Sequence, residues 1–259
     1  MLSPTLVVAR KEAIDSLRDT RSVISSLMYA LMGPAVIFMV SMAVRMAVGK
    51  DAVLIGMMSI FTLVAAFVGG MNVAMDTVAG ERERQSLLPL LMNPVRRREI
   101  VFGKWLAVGL FSLAGLILNL AGFALVFAGA GMHLPAGLLR LWLAVTAGVL
   151  PLALLAASLQ LLISTVCRAA KEAQTYLSML VFLPMGLGMF QVFFPAAARG
   201  WFAFVPVMGQ QLQLERWLKG GAAPFGPAAA LGCFTGALAL LILELAANRL
   251  HRDEIVYGN

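Results

Sequence analysis

The chain has 259 residues, of which 61% are hydrophobic and only 13% are charged, and its mean hydropathy is +0.89. A soluble domain of this length needs a larger charged share to cover its surface, so the composition excludes a soluble globular protein and predicts one that uses lipid as its solvent. The formal charge of +7 does not indicate nucleic-acid binding, because the basic residues stand between long apolar segments instead of along one face of a soluble fold.

The first predicted element is an amphipathic helix within residues 1–22. Leu6, Ala13 and Leu17 recur at helical spacing against a charged face, although Arg10 interrupts the apolar stripe. The charges of this segment leave no early apolar stretch, so it is not expected to be a cleavable signal. We expect a helix that lies in the cytoplasmic interface of the membrane; the alternative is an ordinary solvated tail.

Six later segments are long and apolar enough to span a bilayer. A helix rises 1.5 Å per residue, so about 20 apolar residues cross the hydrocarbon layer. The predicted spans are residues 24–44, 53–74, 105–128, 141–165, 173–194 and 226–247. The predicted fold class is therefore an all-α membrane protein with six transmembrane helices.

The distribution of lysine and arginine predicts the orientation of these spans. If the N-terminus is cytoplasmic, 14 of the 20 basic residues fall on the inner side and six on the outer side. Cytoplasmic loops carry the excess of positive charge in multi-pass proteins. We therefore expect both termini in the cytoplasm and the chain in a bacterial inner (plasma) membrane.

The connection between spans 2 and 3, residues 77–104, holds the densest charge in the chain. Four alternating charges at residues 81–84 precede a leucine-rich stretch, and Pro94 follows. The pattern predicts a cytoplasmic helix that begins at Gly80, is kinked at Pro89 and ends at Pro94. A soluble partner that binds such a helix could transmit force to the two spans attached to it.

The connection between spans 5 and 6 predicts short outer-face helices. Residues 195–225 are too short and too polar to span the bilayer, but apolar enough to lie on the outer leaflet or dip into it. We interpret the whole chain, residues 1–259, as one permease domain. Its parts are the interfacial helix (1–22), spans 1–2 (23–76), the coupling segment (77–104), spans 3–5 (105–194), the outer-face helices (195–225), and span 6 with a cytoplasmic tail (226–259).

The chain carries no recognisable energy-coupling or catalytic motif. Lys50 and Lys104 each follow a glycine, but Asp51 and Trp105 stand where a phosphate-binding loop needs serine or threonine. No metal-ligand spacing or hydrolase motif is present, so we expect neither an enzyme nor a cofactor in this chain. Asp76 and Glu244, near the inner ends of their spans, are expected to contact water or an arginine.

Four amides inside the predicted spans are candidates for a translocation path. Such groups are also common as hydrogen-bonding links between helices, and the sequence leaves both roles open. The four residues are Asn72, Asn119, Gln160 and Gln191.

Several motifs resemble those of the type 2 (export) ABC permeases, and within them the NatB-like group. The resemblance rests on Arg10-Lys11-Glu12 with Leu17-Arg18-Asp19, on Gly80-Glu81-Arg82-Glu83-Arg84 through Pro89 and Gly103-Lys104, on Lys171 to Tyr176, and on Val205-Pro206-Val207 with Gln210 and Gly220. Two features depart from the family pattern. Leu88 stands where a glutamate is usual, and only about residues 45–52 replace a large extracytoplasmic insertion.

The resemblance implies a permease dimer, of identical or related subunits, docked on cytoplasmic ATPase subunits that bind ATP and magnesium. The implied ATPase-docking residues of the coupling helix are Glu81, Arg82, Glu83, Arg84, Leu87, Leu91 and Pro94. A second implied cytoplasmic contact comprises Arg168, Lys171 and Glu172.

The functional prediction is the transmembrane subunit of an ATP-driven exporter, which moves substrate outward by alternating conformations. An energy-independent transporter or channel remains an alternative, as does a non-transporting membrane anchor or assembly factor. The cargo stays open among sodium, a lipid-like molecule, a peptide and a drug.

Overall fold

The structure, a computed structural model, describes residues 3–43, 50–87, 89, 95–129, 138–194, 200–219 and 225–250. Over these residues the chain forms helices joined by short turns, without a strand. The helices are α1 (Pro4–Arg18), α2 (Thr20–Ala43), α3 (Lys50–Val68), α4 (Met71–Met75), a π-helical turn (Asp76–Gly80), α5 (Glu81–Glu83), α6 (Arg97–Gly129), α7 (Leu138–Val166), α8 (Ala170–Phe193), a 3-10 helix (Gly200–Phe204), α9 (Met208–Leu218) and α10 (Phe225–Arg249).

Six helical segments among the described residues are long and apolar enough to cross a membrane. This confirms the predicted count and a multi-pass membrane protein. The segments are Thr20–Met42, Leu54–Glu83, Arg97–Val126, Gly148–Val166, Ala170–Gln191 and Gly226–Arg249.

The second span extends further than its apolar sequence predicted. Gly80 was predicted to begin a new helix, but it lies inside the π-helical turn, and the helix continues to Glu83. The helix can continue because the charges at its end are bonded within the bundle. It ends where Gln85 takes a left-handed conformation with φ of 56°. Residues 88 and 90–94, which include the predicted contacts Leu91 and Pro94 and the substituted Leu88, lie outside the described residues.

The second and third spans cross at very short distance. A Cβ atom on Gly70 would lie 2.5 Å from Ser112 Oγ and 2.6 Å from the carbonyl oxygen of Val108. Only a residue without a side chain allows the two backbones to approach this closely. The crossing therefore holds the second span close against α6.

The N-terminal helix α1 is present and lies against the start of α6. A Cβ atom on Gly103 would lie 2.7 Å from the carbonyl oxygen of Thr5. The apolar residues Leu6 and Leu17 are exposed, whereas Glu12 faces the bundle and is buried. This arrangement supplies an outward apolar face, while the position of α1 at a membrane interface stays a prediction.

Asp19 joins α1 to α2 and caps the N-terminus of α2. Its carboxylate accepts hydrogen bonds from the backbone N–H groups of Arg21 and Ser22, both at 3.2 Å, and from the Ser22 hydroxyl at 2.5 Å. The hydroxyl bond is the main cause that holds the pKa of Asp19 below its ordinary value. The first span therefore begins at a capped helix N-terminus.

At the opposite end of the bundle, the predicted short helices pack inward. The 3-10 helix and α9 occupy the connection between the last two spans, and α9 buries Met208, Gln210, Gln211 and Leu214 among the spans. The backbone N–H of Val207, a residue with φ of 74°, donates a 2.7 Å hydrogen bond to Gln210 Oε1. We call this end the α9 end, and the end that carries α1 the α1 end.

Candidate functional site

Lys104 is the centre of a buried group of charges at the α1 end. Its side chain is fully buried, and its Nζ atom donates to Glu12 Oε1 at 2.9 Å, to Glu81 Oε2 at 2.7 Å and to the carbonyl oxygen of Thr77 at 2.6 Å. An ammonium group has three protons, so every donor of Lys104 has a partner. The side chain of Glu12 is 6% exposed and that of Glu81 is 9% exposed.

A second ammonium group balances the charge. Lys11 Nζ lies 3.2 Å from Glu12 Oε1 and 3.2 Å from Glu81 Oε1. Burial by itself lowers the pKa of Lys11, but the two carboxylates outweigh it, so the pKa lies above the ordinary value of 10.5. Lys11, Glu12, Glu81 and Lys104 therefore form a neutral set, which we call the charge cluster.

The charge cluster connects three elements that are distant in sequence. Glu12 belongs to α1, Glu81 to the end of the second span, and Lys104 to α6. Removing one member of a buried ion pair leaves its partner as an uncompensated charge, which typically costs about 3–5 kcal/mol. The cluster therefore resists separation of these three helices.

The other residues of the charged run bond to different neighbours. The Arg82 guanidinium donates to the carbonyl oxygens of Cys167 at 2.9 Å and of Thr165 at 3.4 Å. Glu83 Oε2 accepts a 2.8 Å hydrogen bond from the backbone N–H of Ala170, at the start of α8. The run thus joins the charge cluster on one side to the α7–α8 turn on the other.

Part of the predicted ATPase-docking set is buried inside the chain. Glu81 and Leu87 are both buried. Glu83 and Arg84 are exposed, and Arg84 lies 3.6 Å from Asp76. The docking role of these residues stays a prediction. Glu81 and Leu87 are packed inside the chain, whereas Glu83 and Arg84 are exposed to a partner protein.

The second predicted contact lies beside the first. Arg168, Lys171 and Glu172 are exposed, and Glu172 Oε2 accepts a 2.8 Å hydrogen bond from the backbone N–H of Arg168. Because Glu83 bonds to the start of the same helix, the two predicted contacts meet at one surface. We call this surface the charged face; it comprises Glu83, Arg84, Arg168, Lys171 and Glu172.

Each of the four amides inside the spans bonds to another helix. Asn72 Nδ2 donates to Ser25 Oγ at 3.0 Å, and Asn119 Nδ2 donates to the carbonyl oxygen of Ala30 at 3.0 Å. The carbonyl oxygen of Phe67 accepts from the Gln160 amide, and Gln191 Nε2 lies 3.4 Å from Glu215 Oε1. These contacts favour the helix-linking role, and the translocation role stays a prediction.

The carboxylates near the span ends have arginine partners. Asp76 pairs with Arg84, and Glu244 pairs with Arg98. An arginine is one of the two partners, water or an arginine, that their positions predicted. Among the described residues, no group of three histidine, cysteine, aspartate or glutamate side chains could hold a metal ion.

Sequence reasoning did not single out Lys104 or Glu12 as site residues. Both residues stand in motifs that carry the family resemblance, and Lys104 also ends an incomplete phosphate-loop pattern, but neither was assigned a role. Glu215, which contacts Gln191 at the α9 end, was also missed. The amphipathic pattern of α1 offered a further signal, because Glu12 lies away from its exposed apolar face.

Two comparisons with known proteins bear on the family of this chain. A family model described as "ABC-2 family transporter protein" matches residues 6–214. The chain is also similar to a protein of Bacillus subtilis (strain 168) described as "ABC transporter permease protein NatB", with 34% identity over 157 residues. The match covers 56% of this chain and 39% of the relative, so the chain corresponds to less than half of that protein's length.

Proposed function

Because the chain belongs to the ABC-2 transporter family and is a membrane subunit of an ABC transporter, we propose that it exports its cargo with energy from a separate ATPase subunit. The family implies such an ATPase partner. The proposal adds the direction of transport, the alternation between conformations, and a path along which ATP hydrolysis moves the spans.

The charge cluster is the observation that carries the proposal. An ATPase that moves the charged face moves Glu83 and Arg82, which lie on the same short helix as Glu81. Glu81 is bonded to Lys104 at 2.7 Å, so displacement of this helix also displaces α6 and, through Glu12, α1. A fully bonded and buried ion group has little freedom to absorb the motion, so the movement reaches the spans.

The positive-inside distribution supports a cytoplasmic α1 end, where an ATPase would be. The charged face combines both signs of charge, which suits a partner surface of complementary pattern. We further propose a dimer of permease chains in a bacterial inner membrane, with both termini cytoplasmic. The partner ATPase would bind ATP and magnesium. The cargo class stays open.

Co-purification tests the docking surface directly. We expect the double variant Arg168→Glu, Lys171→Glu to reduce the co-purified ATPase roughly tenfold, because it reverses two exposed charges on the charged face. The matched control is Arg249→Glu, which reverses an exposed charge at the end of α10. The measurement is the ratio of ATPase to permease after purification from native membranes.

Unchanged co-purification in the double variant, with the permease normally inserted, would contradict the assignment of the charged face. Substrate flux through liposomes that contain this chain without any ATPase would favour the energy-independent transporter or channel. A complex whose ATPase rate responds to no substrate would favour the anchor or assembly factor.

A further inference from the structure

A groove of about 500 Å³ opens between α7 and α8 at the α1 end of the bundle. We call it the α7–α8 groove, and its walls include Leu162, Ile163 and Val166 of α7 and Glu172, Tyr176 and Leu180 of α8. Small-molecule sites in proteins typically have volumes of about 300–1,000 Å³. The groove therefore has room for an organic molecule and not only for an inorganic ion.

The polarity of the α7–α8 groove changes along its length. Glu172, Tyr176 and Leu180 are spaced four residues apart, so they lie on one face of α8 at successive turns and extend over about 12 Å. Their side chains change from a carboxylate through a phenol to an aliphatic group. On the facing wall, α7 presents the aliphatic Ile163 and Val166. The groove therefore has a polar end, next to the charged face, and an apolar end within the spans.

The polar end carries a negative charge. Of the described residues that line the groove, Glu172 alone is ionised at neutral pH, and its Oε2 atom accepts a 2.8 Å hydrogen bond from the backbone N–H of Arg168. Cys167 also lines this end. Burial raises the pKa of the Cys167 thiol and the Glu172 carboxylate raises it further, whereas the Arg82 guanidinium opposes them. The thiol therefore stays neutral, and the charge of Glu172 acts inside the groove.

We propose that the α7–α8 groove binds an amphipathic organic cation, with its charged end beside Glu172 and its apolar body along Ile163 and Leu180. Tyr176 is 51% exposed and offers an aromatic ring one turn from the carboxylate, and such rings attract organic cations. A phospholipid would bring a phosphate beside Glu172. Charge complementarity therefore favours a cation without a phosphate group.

Two arginines limit the affinity of this site. The Arg82 guanidinium donates to the carbonyl oxygen of Cys167 at 2.9 Å, and the charges of Arg82 and Arg168 are close enough to interact. Both oppose a cation at the polar end, so we expect moderate affinity. Binding at the groove needs this chain alone, whereas a role of the bound cation as cargo rests on the proposed export.

Cys167 supplies a reporter for occupation of the groove. It is buried and lines the groove, whereas Cys233 is exposed, so Cys233→Ser leaves a single thiol whose reaction with methyl methanethiosulfonate measures access to the groove. The purified chain in lipid nanodiscs is labelled with and without octyltrimethylammonium. The matched control ligand is octyl sulfate, which has the same tail and the opposite charge.

We expect octyltrimethylammonium to slow the labelling about threefold or more, with saturation, because it covers the thiol. Octyl sulfate should have little effect, because its charge repels Glu172. Equal slowing by the two ions would show a response to the tail alone and would overturn the proposal, as would the absence of slowing by the cation.

The unfolding midpoint is the second measurement if the thiol does not react under any condition. A saturable rise with octyltrimethylammonium and not with octyl sulfate would support the proposal, because a ligand that binds only the folded chain stabilises it. Midpoints that neither ion changes would indicate that lipid or a second copy of the chain fills the groove, and would overturn the proposal.

Variants locate the response. Glu172→Gln keeps an acceptor oxygen for the Arg168 N–H but removes the charge, and it should raise the half-protecting concentration of octyltrimethylammonium about two- to fivefold. Tyr176→Leu removes the ring and should have a similar effect, about two- to fivefold. Glu99→Gln is the matched control, because Glu99 accepts a hydrogen bond from the backbone N–H of Arg96 at the start of α6 in the same way.

A gain of affinity separates a lost charge from a disturbed fold. Arg168→Gln removes a positive charge near Glu172 and keeps the backbone N–H that bonds to it, so it should lower the half-protecting concentration about two- to fivefold. An unchanged half-protecting concentration in both Glu172→Gln and Arg168→Gln would overturn the assignment of the polar end.

Discussion

The two polar regions of the bundle differ in how completely their groups are paired. In the charge cluster, the two ammonium groups and the two carboxylates bond to one another, and all three protons of Lys104 have partners. At the α9 end, Ser59 and Glu215 are joined by long contacts of 3.4–3.5 Å to each other and to the amides of Gln191 and Gln211, and the two amide oxygens accept nothing from the protein. The first region is complete without any ligand, so it suits mechanical connection. The second keeps unpaired acceptors, and the partly exposed Lys219 is an ionic partner of its carboxylate.

The largest expected effect comes from removing the central charge of the complete region. Lys104→Met should destabilise the chain by about 3–5 kcal/mol, because Glu12 and Glu81 then remain buried with only half-exposed Lys11 as a partner. Denaturant titration in nanodiscs measures the change. Arg18→Met, at an exposed position on α1, is the control and should stay within about 0.5 kcal/mol of the parent.

Neutralising the three buried members of the charge cluster together should restore stability. The triple variant Lys104→Met, Glu12→Gln, Glu81→Gln removes the unpaired carboxylates and should recover a large part of the loss. A triple variant as unstable as the single one would show that packing of the lysine stem, and not its charge, decides stability here.

An intermediate effect is expected at Gly70, where the second span crosses α6. Gly70→Ala introduces a Cβ atom within 2.6 Å of the α6 backbone and should cost about 1–3 kcal/mol through overpacking. Gly186→Ala is the matched control, because its Cβ would meet nothing within 4 Å. Equal unfolding free energies for the two variants would contradict the close crossing of the second and third spans.

The smallest effect concerns the partly exposed member of the charge cluster. The folded pKa of Lys11 lies above its ordinary value of 10.5, so its contribution is fully present below that pH and is lost as the pH rises through the folded pKa. We expect the unfolding free energy of the parent to fall more steeply at alkaline pH than that of Lys11→Met. Parallel alkaline limbs for the two proteins would contradict this assignment.

The sequence predicted the spans well because the signals for a span are local. Length and hydropathy alone identify a lipid-crossing helix, and the polar break at residues 195–225 likewise marks the short helices before the last span. One feature near the second span misled the prediction. Gly80 resembles a helix start, but the backbone passes through it because Glu81 is neutralised from outside its own helix.

The site was harder to predict because its contacts are distant in sequence. Glu12 and Lys104 are separated by 92 positions, and Ser59 and Glu215 by 156. No periodicity within a segment reveals which charges meet across the bundle. Glu215 also stands beside Arg216 in a stretch that was predicted to form short helices on the outer leaflet, and only the inward packing of α9 brings it to Gln191.

The π-helical turn at Asp76–Gly80 sets the angular register of everything that follows it. Such a turn accommodates one residue more than an α-helical turn, and one residue corresponds to about 100° of rotation around a helix axis. With the stretch one residue shorter, Glu81 would point about a quarter of the way around the helix from Lys104, and Arg82 and Glu83 would leave the α7–α8 turn. The length of this five-residue stretch therefore determines which neighbours each charge meets. An insertion or deletion here would break the contacts of Glu81, Arg82 and Glu83 while leaving those three residues unchanged.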